Sequence, residues 1–353
     1  MKTALPVTVK RAIELIGLFV LGWLIVAAET IVMPLLMAFF FSLLLLPLFR
    51  LFRKGRLPEA VAVFLPILLF SIVVALIIWL FSNQVGALLD DFPKIQHTVT
   101  KHLDDLSIWI SRSFGYSPKE QVHFIDVQSK KLFNSLDGLI STAIGSVSGM
   151  IIFLGLLPIY IYLIMLYRKL FIKFLLMWFN EAQHTMVWET IREAERMVKN
   201  YLIGLLIQIT YIIILLGGLL WVFGIQNALL IGIIFAFLNL IPYLGALIGN
   251  ILGALLTLAS SDQLADVLIV LGAITVVQFL DNNILMPRIV GSQVKINPLV
   301  SIVGIIAGGA MAGLSGMFLA MPVLAILKLI FDRSDHYRQW AVLLGDDPAE
   351  GTH

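Results

Sequence analysis

The sequence has no cysteine, which removes disulfide staples, thiolate metal sites and cysteine nucleophiles together. It is also poor in charge. Only 13% of its 353 residues are Asp, Glu, Lys or Arg, against about a quarter in ordinary soluble chains. The six histidines, His97, His102, His123, His184, His336 and His353, all fall in polar segments, so no long apolar run carries an imidazole base. Neither HExxH nor GxxxxGK[ST] occurs, which speaks against a zinc protease and a nucleotide-driven pump. No metal or cofactor is expected, and a net charge of +2 gives no reason to expect a nucleic-acid partner.

What the chain has instead is apolar surface. At 60% hydrophobic it exceeds what one soluble core of ordinary proportions can bury, so the bilayer must take the rest. Four runs in the first half, 12–29, 31–49, 60–82 and 143–167, have about the length of roughly 20 residues that a membrane-spanning helix needs. The first follows Lys10 and Arg11 as a signal peptide would, but Ile31 opens a second run at once, so it reads as a retained span. Arg50, Arg53, Lys54 and Arg56 follow the second run, and Arg168, Lys169 and Lys173 follow the fourth. The positive-inside rule then puts both loops and both termini in the cytoplasm. Residues 83–142 become a small extracytoplasmic insert. Ile95, Val99, Leu103, Leu106 and Ile110 mark one amphipathic helix there, and Leu132, Leu136 and Leu139 a second after the break at Gly115 to Pro118. Residues 181–199, with Val187, Ile191, Ala194 and Val198 on one face, read as a cytoplasmic amphipathic helix that lies on the surface or meets a neighbouring subunit.

The second half does not divide into simple spans. After a span at 200–223 and a turn at Phe223 to Asn227, no charge appears until Asp262. A straight helix over 227–259 would be about 50 Å long against a hydrocarbon core of about 30 Å. Its middle holds Asn239, Pro242, Tyr243 and Gly245, which break helices. The last run, 297–331, is likewise too long and carries Gly308, Gly309, Gly313 and Gly316 at its centre. Two helical hairpins resolve both lengths, and they place Arg288 and Lys295 in the cytoplasm as the charge rule prefers. The expected fold is all-α in a membrane: about six full transmembrane helices, two re-entrant hairpins at 226–259 and 297–331, and the helical insert.

Non-helical backbone at membrane depth must be buried in protein or line a wet cavity. Broken half-helices also offer free carbonyls and amide donors to a small polar solute. The candidate solute-binding residues are therefore Asn239, Pro242, Tyr243, Gly245, Asn250, Gln278, Asn282, Asn283, Gly308, Gly309 and Gly313, with Asp281 and Arg288 as candidates for coupling. Plainer roles stand beside these. Pro242 and Gly245 serve a turn whatever binds there, and Gly245, Gly249 and Gly253 at four-residue intervals form a helix-packing seam. Asp281 could sit at headgroup level, paired with Arg288 or wet. Gly313-Leu314-Ser315-Gly316 matches the short GxSG pattern of intramembrane serine proteases, which need a histidine from another span. No enzyme is expected.

The run Asn239-Leu240-Ile241-Pro242-Tyr243-Leu244-Gly245, the run Asp281-Asn282-Asn283-Ile284-Leu285-Met286-Pro287-Arg288-Ile289-Val290-Gly291, and then Asn297-Pro298, resemble the autoinducer-2 exporter (AI-2E) family across essentially the whole chain. The resemblance implies a bacterial inner-membrane transporter, homopentameric, whose elevator-type subunits use two hairpins to hold a solute such as autoinducer-2. Some relatives look like sodium or lithium/proton antiporters, and a non-transporting scaffold is a further alternative. A cation site would want carboxylates between the hairpins, where Asp281 stands alone, and this favours a neutral polar solute. The expected organisation is scaffold helices at 1–82, the insert at 83–142, a fourth span with the amphipathic helix at 143–199, a transport part at 200–331 and a cytoplasmic tail at 332–353.

Overall fold

The computed structural model describes residues 7–114, 147–241, 244–261, 263–285, 296–334 and 337–346. Among the described residues all regular structure is helical. In chain order the helices are α1 (Val7–Ala27), α2 (Glu29–Lys54), α3 (Glu59–Phe114), α4 (Val147–Leu176), α5 (His184–Ile212), α6 (Ala228–Leu238), α7 (Leu244–Ser260), α8 (Leu264–Leu280), α9 (Pro298–Asp332) and α10 (Arg338–Leu344). Wider π-helical turns follow α5 at Ile213–Gly217 and α8 at Asp281–Leu285. Among the described residues, five segments are long and apolar enough to cross a membrane: Glu29–Lys54, Glu59–Trp79, Glu181–Val222, Leu264–Leu285 and Pro298–Asp332. Their outer faces suit lipid better than water, since Trp221, Leu268 and Phe279 are each more than 60% exposed. The all-α membrane class read from composition is thus the class observed.

Two helices run further than hydropathy alone suggests. The 56 residues of α3 span about 84 Å, so the run at 60–82 continues into the first amphipathic helix of the insert without a break. The second insert helix, expected around Leu132, Leu136 and Leu139, lies outside the described residues. Residues 181–199 and 200–223 likewise form one 42-residue run, Glu181–Val222. Polarity changes near Asn200, but the helical stripe does not. Val198, Leu202, Leu205, Gln208, Ile212, Leu216 and Leu220 are all buried, in steps of three and four that keep one face inward. The run ends in a Schellman-type cap, in which Ile225 N–H donates to Leu220 O and Gly224 N–H to Trp221 O. Gly224 takes φ +74° there, a conformation open to glycine at little cost.

The chain forms two compact units. One comprises Met1–Leu68, Phe153–Leu202 and Ser292–His353, the other Leu69–Ile152 and Ile203–Gly291. In the first, Met33, Phe40, Val198, Leu202 and Leu319 make a core, flanked by ion pairs from Arg50 to Glu195 and from Arg333 to Glu193, both at 2.7 Å. Here α9 is two helices rather than one. Its backbone leaves the helical region at Ala312 (φ −153°, ψ 31°) and Gly313 (φ 54°, ψ −140°). The arms 298–311 and 314–332 then lie side by side, because a Cβ on Gly308 or Gly316 would strike the other's carbonyl and one on Gly304 would lie 2.5 Å from Leu324 Cδ1. Asn297 ties down the base of this fold-back. Its Oδ1 accepts from Val300 N at 2.8 Å, and its Nδ2 donates to Leu343 O and Gly345 O at 2.7 and 3.1 Å.

In the second unit α6, ending at Leu238, and α7, beginning at Leu244, likewise lie side by side. A Cβ on Gly249 would lie 2.5 Å from Phe235 Cδ2, and one on Gly253 would lie 3.7 Å from Ile231 Cγ2. These pairings step apart symmetrically from the turn, as antiparallel arms must. The core beneath joins Ile212, Leu216 and Leu220 of the α5 run to Ile231 and Phe235 of α6 and to Val270, Ile274 and Val277 of α8.

Candidate functional site

The residue with the most unusual surroundings is Asp281. It follows α8 directly, in the first position of the π-helical turn, and is only 3% exposed. An ionised carboxylate held away from water costs several kcal/mol unless donors replace the lost hydration. Three donors converge on it. Gln208 Nε2 donates to Oδ2 at 2.8 Å, Asn239 Nδ2 donates to Oδ2 at 2.9 Å, and the Tyr211 hydroxyl donates to Oδ1. Hydrogen bonds to a charged group contribute about 1.5–3 kcal/mol each, so the set offsets much of the burial cost.

Each donor is placed by its own local structure. Gln208 and Tyr211 stand three residues apart on α5, the spacing that brings two side chains onto one helix face. The π-helical turn Ile213–Gly217 begins two residues later, and wide turns of this kind recur at functional sites. Asn239 caps the C-terminus of α6 and stands at the tip of the first fold-back. All three partners are neutral, and among the described residues the ion pairs lie elsewhere. Among the described residues the carboxyl group is thus met by neutral hydrogen-bond donors. Gln208 carries a second feature. Its Oε1 is, among the described residues, the buried side-chain nitrogen or oxygen that has no hydrogen-bond partner.

Of the residues singled out in the sequence, Asn239 and Asp281 are brought into direct contact. Gly245 is buried where a Cβ would run into the Leu238 carbonyl and Asn239 Cα, so it holds the tip closed. Asn250 turns back on its own helix, donating to Ala246 O at 2.7 Å. Gln278 is half-buried one turn ahead of Asp281, while Asn282 and Asn283 are exposed, with Asn283 Nδ2 on Phe279 O. Gly308 and Gly309 lie between the arms of α9, facing Gly316 and Met317, and Gly313 is the exposed pivot between them. Pro242, Tyr243 and Arg288 lie outside the described residues. Sequence reasoning passed over Gln208 and Tyr211. The signal was an amide set within a long apolar run, since Gln208 is the one amide or charged side chain between Tyr201 and Val222.

Comparison with known proteins bears on what such a site serves. A profile of AI-2E family transporters matches residues 14–335, nearly the whole chain. Over 319 residues, 87% of both proteins, the chain is 27% identical to YrrI of Bacillus subtilis (strain 168). It is 26% identical over 330 residues to YueF of the same organism, covering 89% of this chain and 86% of that one; both names mark transport only provisionally. It is also 27% identical over 330 residues, 90% of each chain, to the AI-2 transport protein TqsA of Escherichia coli (strain K12). With the profile running from within α1 to just past α9, this chain belongs to the AI-2E transporter family and is a multi-pass membrane transporter.

Proposed function

We propose that this transporter is a secondary exporter of a small, uncharged, polar molecule, with Asp281 as the group that couples transport to protons. The observation that carries the reading is the hydrogen bond from Asn239, at the tip of a broken helix pair, to a buried carboxylate. Ionisable groups within membrane segments are retained at a cost and mark solute or proton paths. Loss or gain of one proton at Asp281 changes the charge at the tip and the donors it can hold, and a moving hairpin needs such a trigger. The uncharged partners Gln208, Tyr211 and Asn239 suit a hydroxyl-rich solute, and the name of the Escherichia coli relative points to AI-2 as the first molecule to try. In this reading α6–α7 and the two arms of α9 are re-entrant hairpins, both termini are cytoplasmic, and homopentameric subunits work by an elevator-type movement.

The test uses purified full-length protein in liposomes loaded with AI-2. An imposed pH gradient should drive AI-2 release through the wild type, and Asp281→Asn should reduce it to the rate of empty liposomes while leaving assembly intact. Equal release by the two proteins would refute the coupling role. A second reading, sodium or lithium/proton antiport, draws on the Gln208 oxygen that has no donor, since an unpaired amide oxygen beside a carboxylate suits a small hard cation. It predicts sodium- or lithium-dependent proton movement, lost in Asp281→Asn, with no AI-2 release.

A further inference from the structure

We propose that the side-chain amide of Gln208 reverses when Asp281 gains a proton, so that Gln208 positions the site by donating to the ionised carboxylate and accepting from the protonated one. The inference rests on Asp281 being the group that takes up the proton. It starts from an asymmetry in the amide. One end, Nε2, donates to Asp281 Oδ2 at 2.8 Å, whereas the other end, Oε1, is buried without a donor. Turning the amide by half a revolution exchanges nitrogen and oxygen within almost the same volume. In the present orientation the end facing away from Asp281 meets no donor, so no bond on that side holds the oxygen there. The bond to Asp281 is the one that fixes the present orientation.

A proton on Oδ2 reverses that selection. With its O–H turned toward Gln208, the acid sets two donors against each other at Nε2, while reversal gives that O–H a complete hydrogen bond to Oε1 and leaves the oxygen's remaining lone pair for Asn239. The alternative is for Tyr211 to accept a proton carried on Oδ1. That would oblige the Tyr211 hydroxyl to turn its own hydrogen away from the Asp281 oxygen it now serves. Reversal at Gln208 keeps the bonds from Tyr211 and Asn239 in place, because the hydroxyl oxygen of a carboxylic acid still accepts from Asn239. Among the described residues, other titratable groups do not complicate this. Tyr211 is the one in contact from α5, α6 presents only Asn239, and on α8 the nearest acid, Asp266, lies about four turns away. The protonation state of Asp281 is thereby recorded inside α5, three residues before Tyr211 and five before the π-helical turn.

The experiment is infrared difference spectroscopy on the full-length protein in liposomes, grown with glutamine carrying ¹³C at the side-chain carbonyl. Spectra are taken across a pH range in which a carboxylic C=O band appears that is absent from Asp281→Asn. Alongside that band, the labelled carbonyl should move to lower wavenumber as it gains a hydrogen bond, and the movement should vanish in Gln208→Met and in Asp281→Asn. A carboxylic band with no movement of the labelled carbonyl overturns the inference and leaves the coupling role of Asp281 standing. Absence of any Asp281 band overturns both. Movement that survives in Gln208→Met, or that follows sodium at fixed pH, also overturns it. If Gln208→Met does not assemble, wild type against Asp281→Asn still decides the matter.

Discussion

Adding one methyl group at successive glycines along the first fold-back separates packing from solute contact. At Gly245 a Cβ would meet backbone, the Leu238 carbonyl and Asn239 Cα, which cannot move unless the tip opens. At Gly249 it would lie 2.5 and 2.8 Å from two ring carbons of Phe235, a side chain that is 1% exposed. Carbon pairs prefer about 3.5–4.0 Å, so the ring must retreat by roughly 1 Å inside a filled core. At Gly253 the contact is the end of Ile274 at 2.9 Å, and at Gly272 nothing lies within 4 Å. Overpacking costs about 1–3 kcal/mol, and replacing glycine by alanine within a helix returns about 0.5–1 kcal/mol. The balance gives net losses of about 2 kcal/mol or more for Gly245→Ala and about 1–2 for Gly249→Ala. Gly253→Ala should be near zero and Gly272→Ala slightly stabilising. Thermal unfolding midpoints of the four purified variants should fall in that order, and Gly245→Ala should also lose transport because it displaces Asn239 from Asp281. Wild-type stability at Gly245→Ala or Gly249→Ala, joined to weakened solute affinity, would mean that these glycines line the solute path and that the packing argument is wrong.

Two further substitutions test the first unit. Asn297→Ala removes the cap at the start of α9 and releases the carbonyls of Leu343 and Gly345, a loss of about 1 kcal/mol for the cap alone. Trypsin cleavage at Arg338 should therefore accelerate, and an unchanged rate would show that α10 is held by other contacts. Arg50→Ala should alter stability by less than about 1 kcal/mol, since an exposed pair of this kind is screened and entropically costly; the Arg50 side chain is 59% exposed. A larger fall, or one that persists in high salt, would show that the Arg50–Glu195 pair is coupled to the core.

How far the sequence reveals this site depends on which quantity each part obeys. The fold-backs are governed by length. A stretch of about 50 Å cannot cross a core of about 30 Å once or twice, and the breakers Asn239 and Gly313 stand where α6 ends and α9 turns. Asp281 is visible for a similar reason, as an acid at the end of an apolar run. Its partners are not, because Gln208 and Tyr211 lie 73 and 70 residues away and local propensity says nothing about which distant helix supplies a donor. They were nonetheless within reach of periodicity. Dividing 181–223 where its polarity changes discards the register that carries through it, whereas the stripe Val198, Leu202, Leu205, Gln208, Ile212, Leu216 and Leu220 passes the division unbroken. Followed as one helix, that stripe puts an amide among inward-facing aliphatic residues, where a polar side chain must find a partner or leave a donor or acceptor unpaired at a cost of about 1–3 kcal/mol. Gln208 does both, bonding Asp281 through its nitrogen and leaving its oxygen unpaired. The same residue that periodicity marks as misplaced is thus the one whose orientation the carboxylate controls.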